Sequence, residues 1–112
     1  LVVGGGDSAV EAALALSRSG KNRVTLSYRG ADFHRTRQRN QQQLEAAEKE
    51  GRVRVLRKSD VQEILPTAVR LTVGKEGLEI PNDFVFILIG GESPEDFLKK
   101  TGVEIVEKVL SV

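Results

Sequence analysis

Four small residues near the start, Gly4, Gly5, Gly6 and Ala9, are spaced as Gly-x-Gly-x-x-Ala, with Asp7 and Ser8 inside the pattern. Leu1-Val2-Val3 runs into it, and Val10 to Leu16, rich in alanine and leucine, runs out of it. The chemistry of such a turn is the holding of a phosphate. The first glycine permits a sharp bend, the second lets an anion approach the backbone, and the third small residue lets helix and strand pack closely. A helix beginning there adds unpaired N–H groups and a positive dipole end. A second set of residues suits the same ligand class: Arg29, His34 and Arg35. An arginine can take a phosphate on two parallel N–H groups. No nucleophile with its base, no pair of carboxylates and no metal-ligand cluster stands out. Neither a catalytic residue nor a metal site is expected, which suits a domain whose cofactors bring the chemistry.

Composition bounds the reading. At 112 residues the chain is read as a single domain, residues 1–112, with 39% hydrophobic and 29% charged residues. The longest apolar run, Phe84 to Ile89, is far too short to cross a membrane, and no export signal opens the chain, so a cytoplasmic protein without a membrane partner is expected. With no cysteine there is no disulfide framework or thiolate metal site within this sequence. Three strand residues before the glycines and no methionine anywhere read as a piece excised from a longer protein close to its first strand. The net charge of +1 is unevenly spread. From Arg18 to Arg39 there are seven basic residues against Asp32 alone, and from Glu76 to Glu107 eight acids against Lys99 and Lys100. The basic stretch has no interleaved aromatics, so nucleic acid is not an expected partner.

Positioning these residues requires particular elements. Leu1 to Val3 reads as a strand, followed by a helix capped by Asp7 or Ser8, carrying Val10, Ala13, Leu14 and Leu16 on one face and ended by Gly20. Arg23 to Tyr28 reads as a second strand. Strand, helix and strand within 28 residues make one βαβ unit, whose right-handed crossover sets the strands parallel. A loop from Arg29 to Arg35 leads to a polar helix over roughly Thr36 to Glu50, with Leu44, Ala46 and Ala47 on its narrow apolar edge, closed by Gly51. Val53 to Leu56 is the next strand. The period then changes. Val61 to Leu65, Val69 to Val73 and Leu78 to Ile80 are spaced as hairpins and predict a three-stranded antiparallel meander. Phe84 to Ile89 is continuously apolar, as expected of a strand buried on both faces of a parallel sheet. Gly90-Gly91 follows, then a short helix up to Lys100 with Pro94 in its first turn, then an extended piece from Val103 to Val106.

This layout, with Gly4 to Ala13, Tyr28-Arg29 followed by Asp32-Phe33, and Phe86 to Gly90, resembles the NAD(P)H-binding domain of the thioredoxin reductase-like pyridine nucleotide–disulfide oxidoreductases. The resemblance implies an α/β fold: a Rossmann-like three-layer β/β/α domain. Its central parallel sheet has helices on one face and the three-stranded antiparallel β-meander on the other. It also implies FAD in the full-length flavoprotein, held by another domain of the same chain and absent from this piece, to which NADPH passes hydride. The resemblance extends to a homodimeric full-length protein. The redox acceptor is not decidable from these residues, since a Cys-x-x-Cys would lie upstream of Leu1. Role by role, Gly4, Gly5, Gly6 and Ala9 match the phosphate turn, Asp7 and Ser8 the helix start, and Glu11 a glutamate near the nicotinamide. Gly90 matches the close backbone approach at the end of the last parallel strand.

An NAD site usually places an acid at the end of the second strand to hold the ribose 2′-hydroxyl. Here Ser27 or Tyr28 stands there, followed by Arg29, which would attract a 2′-phosphate. NADPH is therefore expected, with NADH as the weaker alternative. The family's His-Arg-Arg with a later Arg is shuffled: Arg29 is kept, Gly30 replaces the second arginine, and His34 with Arg35 stands at the third. Two other readings share the glycine turn. A non-catalytic NAD(H)-sensing module does not predict the meander, and the FAD-binding half of a flavoprotein wants an acid where Arg29 stands.

Overall fold

A computed structural model of the chain describes residues 1–89 and 94–102. Strand β1 (Val2–Val3) passes through Gly4 to Gly6 into helix α1 (Asp7–Arg18), and β2 (Val24–Ser27) follows. Helix α2 (Gln38–Lys49) leads to β3 (Val53–Leu56). Three strands then run together, β4 (Ser59–Ile64), β5 (Ala68–Val73) and β6 (Glu76–Pro81), before β7 (Phe86–Ile87) and helix α3 (Pro94–Lys100). The order β3-β2-β1-β7 forms a parallel sheet, and β4-β5-β6 is the antiparallel meander.

Alternation along β1 divides the interior. Side chains on a strand point to opposite faces in turn. Val2 joins the core under the helices, with Ala9, Val10, Ala13, Leu14, Leu26 and Leu44. Leu1 and Val3 join the core under the meander, with Val61, Val69, Leu71 and Phe97. Ala9 and Ala13 are fully buried, so α1 approaches the sheet closely at these two positions. Gly20, with φ +69°, follows the C-cap Ser19 and ends the helix as the sequence predicts. The three-layer architecture expected from the sequence is present.

Four local expectations are corrected. Neither Asp7 nor Ser8 caps α1. Gly6 is the N-cap residue, no side chain caps it, and the helix begins at Asp7. Ala46 is exposed, and the buried edge of α2 is Asn40, Leu44 and Ala47. The second strand stops short of Arg23 and Tyr28. The fourth correction is the largest. The apolar run from Phe84 to Ile89 is not buried on both faces: Val85, Ile87 and Ile89 pack on the meander core, whereas Phe84, Phe86 and Leu88 are exposed. β7 lies at the end of the sheet order, bonded on one side to β1, and the helices pack chiefly over β1 to β3. The extended piece at Val103 to Val106 and Gly90-Gly91 lie outside the described residues.

Candidate functional site

The ends of β1, β2 and β7 open into one cleft of about 970 Å³. Gly4 to Ser8, Tyr28 to Gly30 with Arg35, Ile87 to Ile89 with Phe97, and the buried Ser27 and Ser59 line it. The parallel register places them there. Val3 pairs with Ser27 and with Ile87, so the residues after each strand emerge side by side.

The glycine turn has a distinct requirement at each position. Gly4 has φ +145°, and its N–H donates to the Ser27 carbonyl at 3.0 Å. A Cβ there would collide with the Leu88 carbonyl oxygen and stand 3.0 Å from the Ala9 methyl. The first glycine and the small residue at Ala9 are thus a packing pair. Gly6 differs: nothing lies within 4 Å of where its Cβ would be. That open space beside a helix start is the room a phosphate needs. Gly5 is confined by the ring of Tyr28, into which its Cβ would run.

Asp7 reaches away from its own helix. Its Oδ1 accepts from the backbone N–H of Arg37 at 2.9 Å and from Asn40 Nδ2 at 2.7 Å. It thereby serves the start of α2, whose N-cap residue Arg37 has no capping side chain of its own. These bonds, the Arg37 N–H first, hold the Asp7 carboxyl below its ordinary range. Glu11, one turn on, accepts from the same Asn40 at 3.2 Å.

Elsewhere in the cleft lining, Arg29 Nε lies 3.6 Å from Asp60 Oδ1, and Lys100 Nζ lies 3.6 Å from Asp60 Oδ2. A shallower depression of about 430 Å³ adjoins, lined by Arg29, Lys58, Asp60 and Lys100 among others, three cations around one carboxylate. Backbone bonds fix this corner. Ser59 N–H donates to the Tyr28 carbonyl at 2.9 Å and Lys58 N–H to the Gly30 carbonyl at 3.0 Å. Lys58 sits at φ +52°, a conformation a lysine rarely adopts, and its carbonyl also accepts from Gly74. Ser27 and Ser59, both buried, share a hydrogen bond of 2.7 Å that ties β2 to β4.

Of the residues singled out from sequence, Gly4, Gly5, Gly6, Asp7, Ser8, Tyr28, Arg29 and Arg35 line the cleft. Ala9 lies behind the turn, fully buried. Glu11 is exposed and bonded toward α2, and His34 is exposed; neither lines the cleft. Gly90 lies outside the described residues. Sequence reading missed Ser27's buried partner Ser59, and it missed Asp60, Lys58 and Lys100. Their only signal is tertiary, because the meander brings them beside Arg29.

A family model described as pyridine nucleotide-disulphide oxidoreductase matches residues 1–111. The bacilliredoxin reductase of Bacillus subtilis is 38% identical over 107 residues, 94% of this chain and 33% of that protein. The bacillithiol disulfide reductase of Bacillus cereus superposes with a TM-score of 0.76 at 38% identity, covering 96% of this chain and 33% of the other. The thioredoxin reductase of Lactococcus lactis gives a TM-score of 0.67 at 31% identity, covering 90% of this chain and 34% of the other. The chain thus spans about a third of the length of these relatives. Among the described residues, no helix is long and apolar enough to cross a membrane.

Proposed function

The chain belongs to the pyridine nucleotide-disulphide oxidoreductases, and from that premise we propose that its cleft seats NADPH, with residues 1–112 forming the nucleotide-binding domain of a longer flavoprotein. NADPH supplies a hydride, which FAD carried by another part of the polypeptide accepts, and a disulfide is the class of final acceptor. The open space at Gly6, with the start of α1 behind it, takes the pyrophosphate. Arg29 and Arg35 take the 2′-phosphate, and the exposed run at β7 leaves the nicotinamide side accessible. In this cytoplasmic redox protein the described residues bind and orient; the cofactors react.

The observation that carries this reading is the single cleft shared by the glycine turn and by Arg29 and Arg35. Each feature alone suits any anion, and together they suit a dinucleotide with phosphates at two separated points. Titration of the chain with NADPH and NADH tests it, repeated with Arg29→Ala. A hydrogen bond to a charged group contributes about 1.5–3 kcal/mol. NADPH should bind about tenfold to a hundredfold more tightly than NADH, and Arg29→Ala should remove most of that preference. Equal affinities for the two cofactors in the unaltered chain would overturn the NADPH assignment.

A further inference from the structure

Gly5 and Gly30 lack a side chain for a reason the phosphate turn does not supply. Neither adopts a positive φ, unlike Gly4, Gly20 and Gly51, so backbone freedom does not account for them. Space does. A Cβ on Gly5 would run into the Tyr28 ring at Cδ1 and Cε1. A Cβ on Gly30 would lie 2.6 Å from Cζ and from the hydroxyl oxygen of the same ring. The ring also packs on Phe33, with centroids 4.7 Å apart and planes tilted by 35°. Phe33 is buried, with the Arg57 guanidinium 5.7 Å from its centroid, and Glu48 holds Arg57 through two hydrogen bonds of 2.9 and 3.0 Å. The Tyr28 backbone is fixed as well, donating to the Leu56 carbonyl at 3.0 Å and accepting from Ser59.

We infer that Tyr28 is a positioning residue of the cleft and that Gly5 and Gly30 are its socket, an inference that rests on the dinucleotide reading above. The ring stands between the glycine turn and Arg29 and forms the wall against which the adenosine half of the ligand lies. It sets the span from pyrophosphate to 2′-phosphate. The ring also fills the space at position 30, so recognition of the 2′-phosphate falls to Arg29 and Arg35. A methyl at position 30 would displace the ring from its seat on Gly5 and Phe33.

Tyr28 is the one tyrosine of the chain and there is no tryptophan, so tyrosine emission reports on this ring alone. Four variants, Gly30→Ala, Tyr28→Ala, Tyr28→Phe and the double variant Tyr28→Ala/Gly30→Ala, are compared with the unaltered chain, with folding checked by circular dichroism. Without ligand, Gly30→Ala should change the intensity or maximum of tyrosine emission. In calorimetric titrations with NADPH and NADH, Gly30→Ala and Tyr28→Ala should each weaken NADPH by about tenfold, a 1.4 kcal/mol effect, and lower the NADPH-to-NADH ratio. The double variant should be no worse than Tyr28→Ala, since contacting residues couple, and Tyr28→Phe should recover most of the lost affinity. Unchanged emission in Gly30→Ala, or additive losses in the double variant, would overturn the inference while leaving the NADPH reading intact. An unaltered chain that binds neither cofactor would overturn both, even with emission changed. If Gly30→Ala does not fold, Tyr28→Ala against Tyr28→Phe decides: equal losses, or none, overturn the inference.

Discussion

The two faces of the parallel sheet are built to different rules. On the helix face, α1 and α2 cover β1 to β3 with small and medium residues, among them the fully buried Ala9, Ala13 and Ala47. The same alanines that let α1 approach bring its N-terminus to the glycine turn, so packing and anion binding share one set of residues. On the meander face, larger side chains close the core, with Phe97, Leu71 and Ile80 against Leu1 and Val3. β7 belongs fully to the meander face only. Its other face, carrying Phe84, Phe86 and Leu88, is exposed. A continuous apolar run therefore reports two different demands here: one set of residues holds this domain together, and the alternate set does not.

The largest test of that comparison sets one phenylalanine against another. Phe97 is 1% exposed and Phe86 is 43% exposed. Phe97→Ala should cost about 3–5 kcal/mol of folding stability, the usual loss for a buried aromatic. Phe86→Ala should stay within about 0.5 kcal/mol. Denaturant unfolding of both variants measures the difference. Similar losses would mean that β7 is held from both faces and would break the comparison.

The turn between the faces gives the next test. Gly4→Ala must accept φ +145° and a clash with the Leu88 carbonyl, which is backbone and cannot swing aside. A loss of about 1–3 kcal/mol is expected, the range for a residue forced into a sparsely populated conformation. Gly6→Ala meets nothing and has φ −92°, so only alanine's poorer fit at an N-cap counts, a loss of about 1 kcal/mol or less. NADPH affinity should fall in both. Thermal melts alongside titration separate them: a stability loss in Gly6→Ala equal to that in Gly4→Ala would show that the two glycines serve one role.

Local chemistry made the first half of the chain legible. Three apolar residues, a glycine triplet and an alanine-rich run can form little else than strand, turn and helix, and Val53 to Leu56 appears with the bounds its pattern predicts. The meander was legible from alternation and turn spacing. What sequence could not carry was which face of each element finds a partner. Phe84, Phe86 and Leu88 read as core because hydrophobicity records a preference for burial, not the presence of a cover. Asp60, Lys58 and Lys100 had no motif, since only the fold brings them to Arg29. Asp7 read as a cap because its position beside a helix start is right. The helix it serves is α2, 30 residues away, a choice made by tertiary packing.

That misassigned carboxylate gives the smallest and most specific test. Asp7 joins the starts of α1 and α2 on the helix face, and its folded-state pKa is lowered, chiefly by the Arg37 N–H and then by Asn40. A group depressed in the folded state contributes stability above its unfolded carboxylate range and loses it as pH falls through the folded value. The melting temperature of the unaltered chain should therefore drop more steeply on acidification below about pH 4 than that of Asp7→Asn, whose amide cannot titrate. Well below both pKa values the carboxyl is neutral in either state and this linked contribution is gone. High salt should leave most of the difference in place. The ion pair to Arg37 is 3.9 Å long and exposed, so screening removes little, whereas the direct hydrogen bonds are not screened. Parallel acid profiles for the two chains would mean that Asp7 contributes nothing to joining the helices. The helix face would then be held by its apolar packing and its other hydrogen bonds, without this carboxylate.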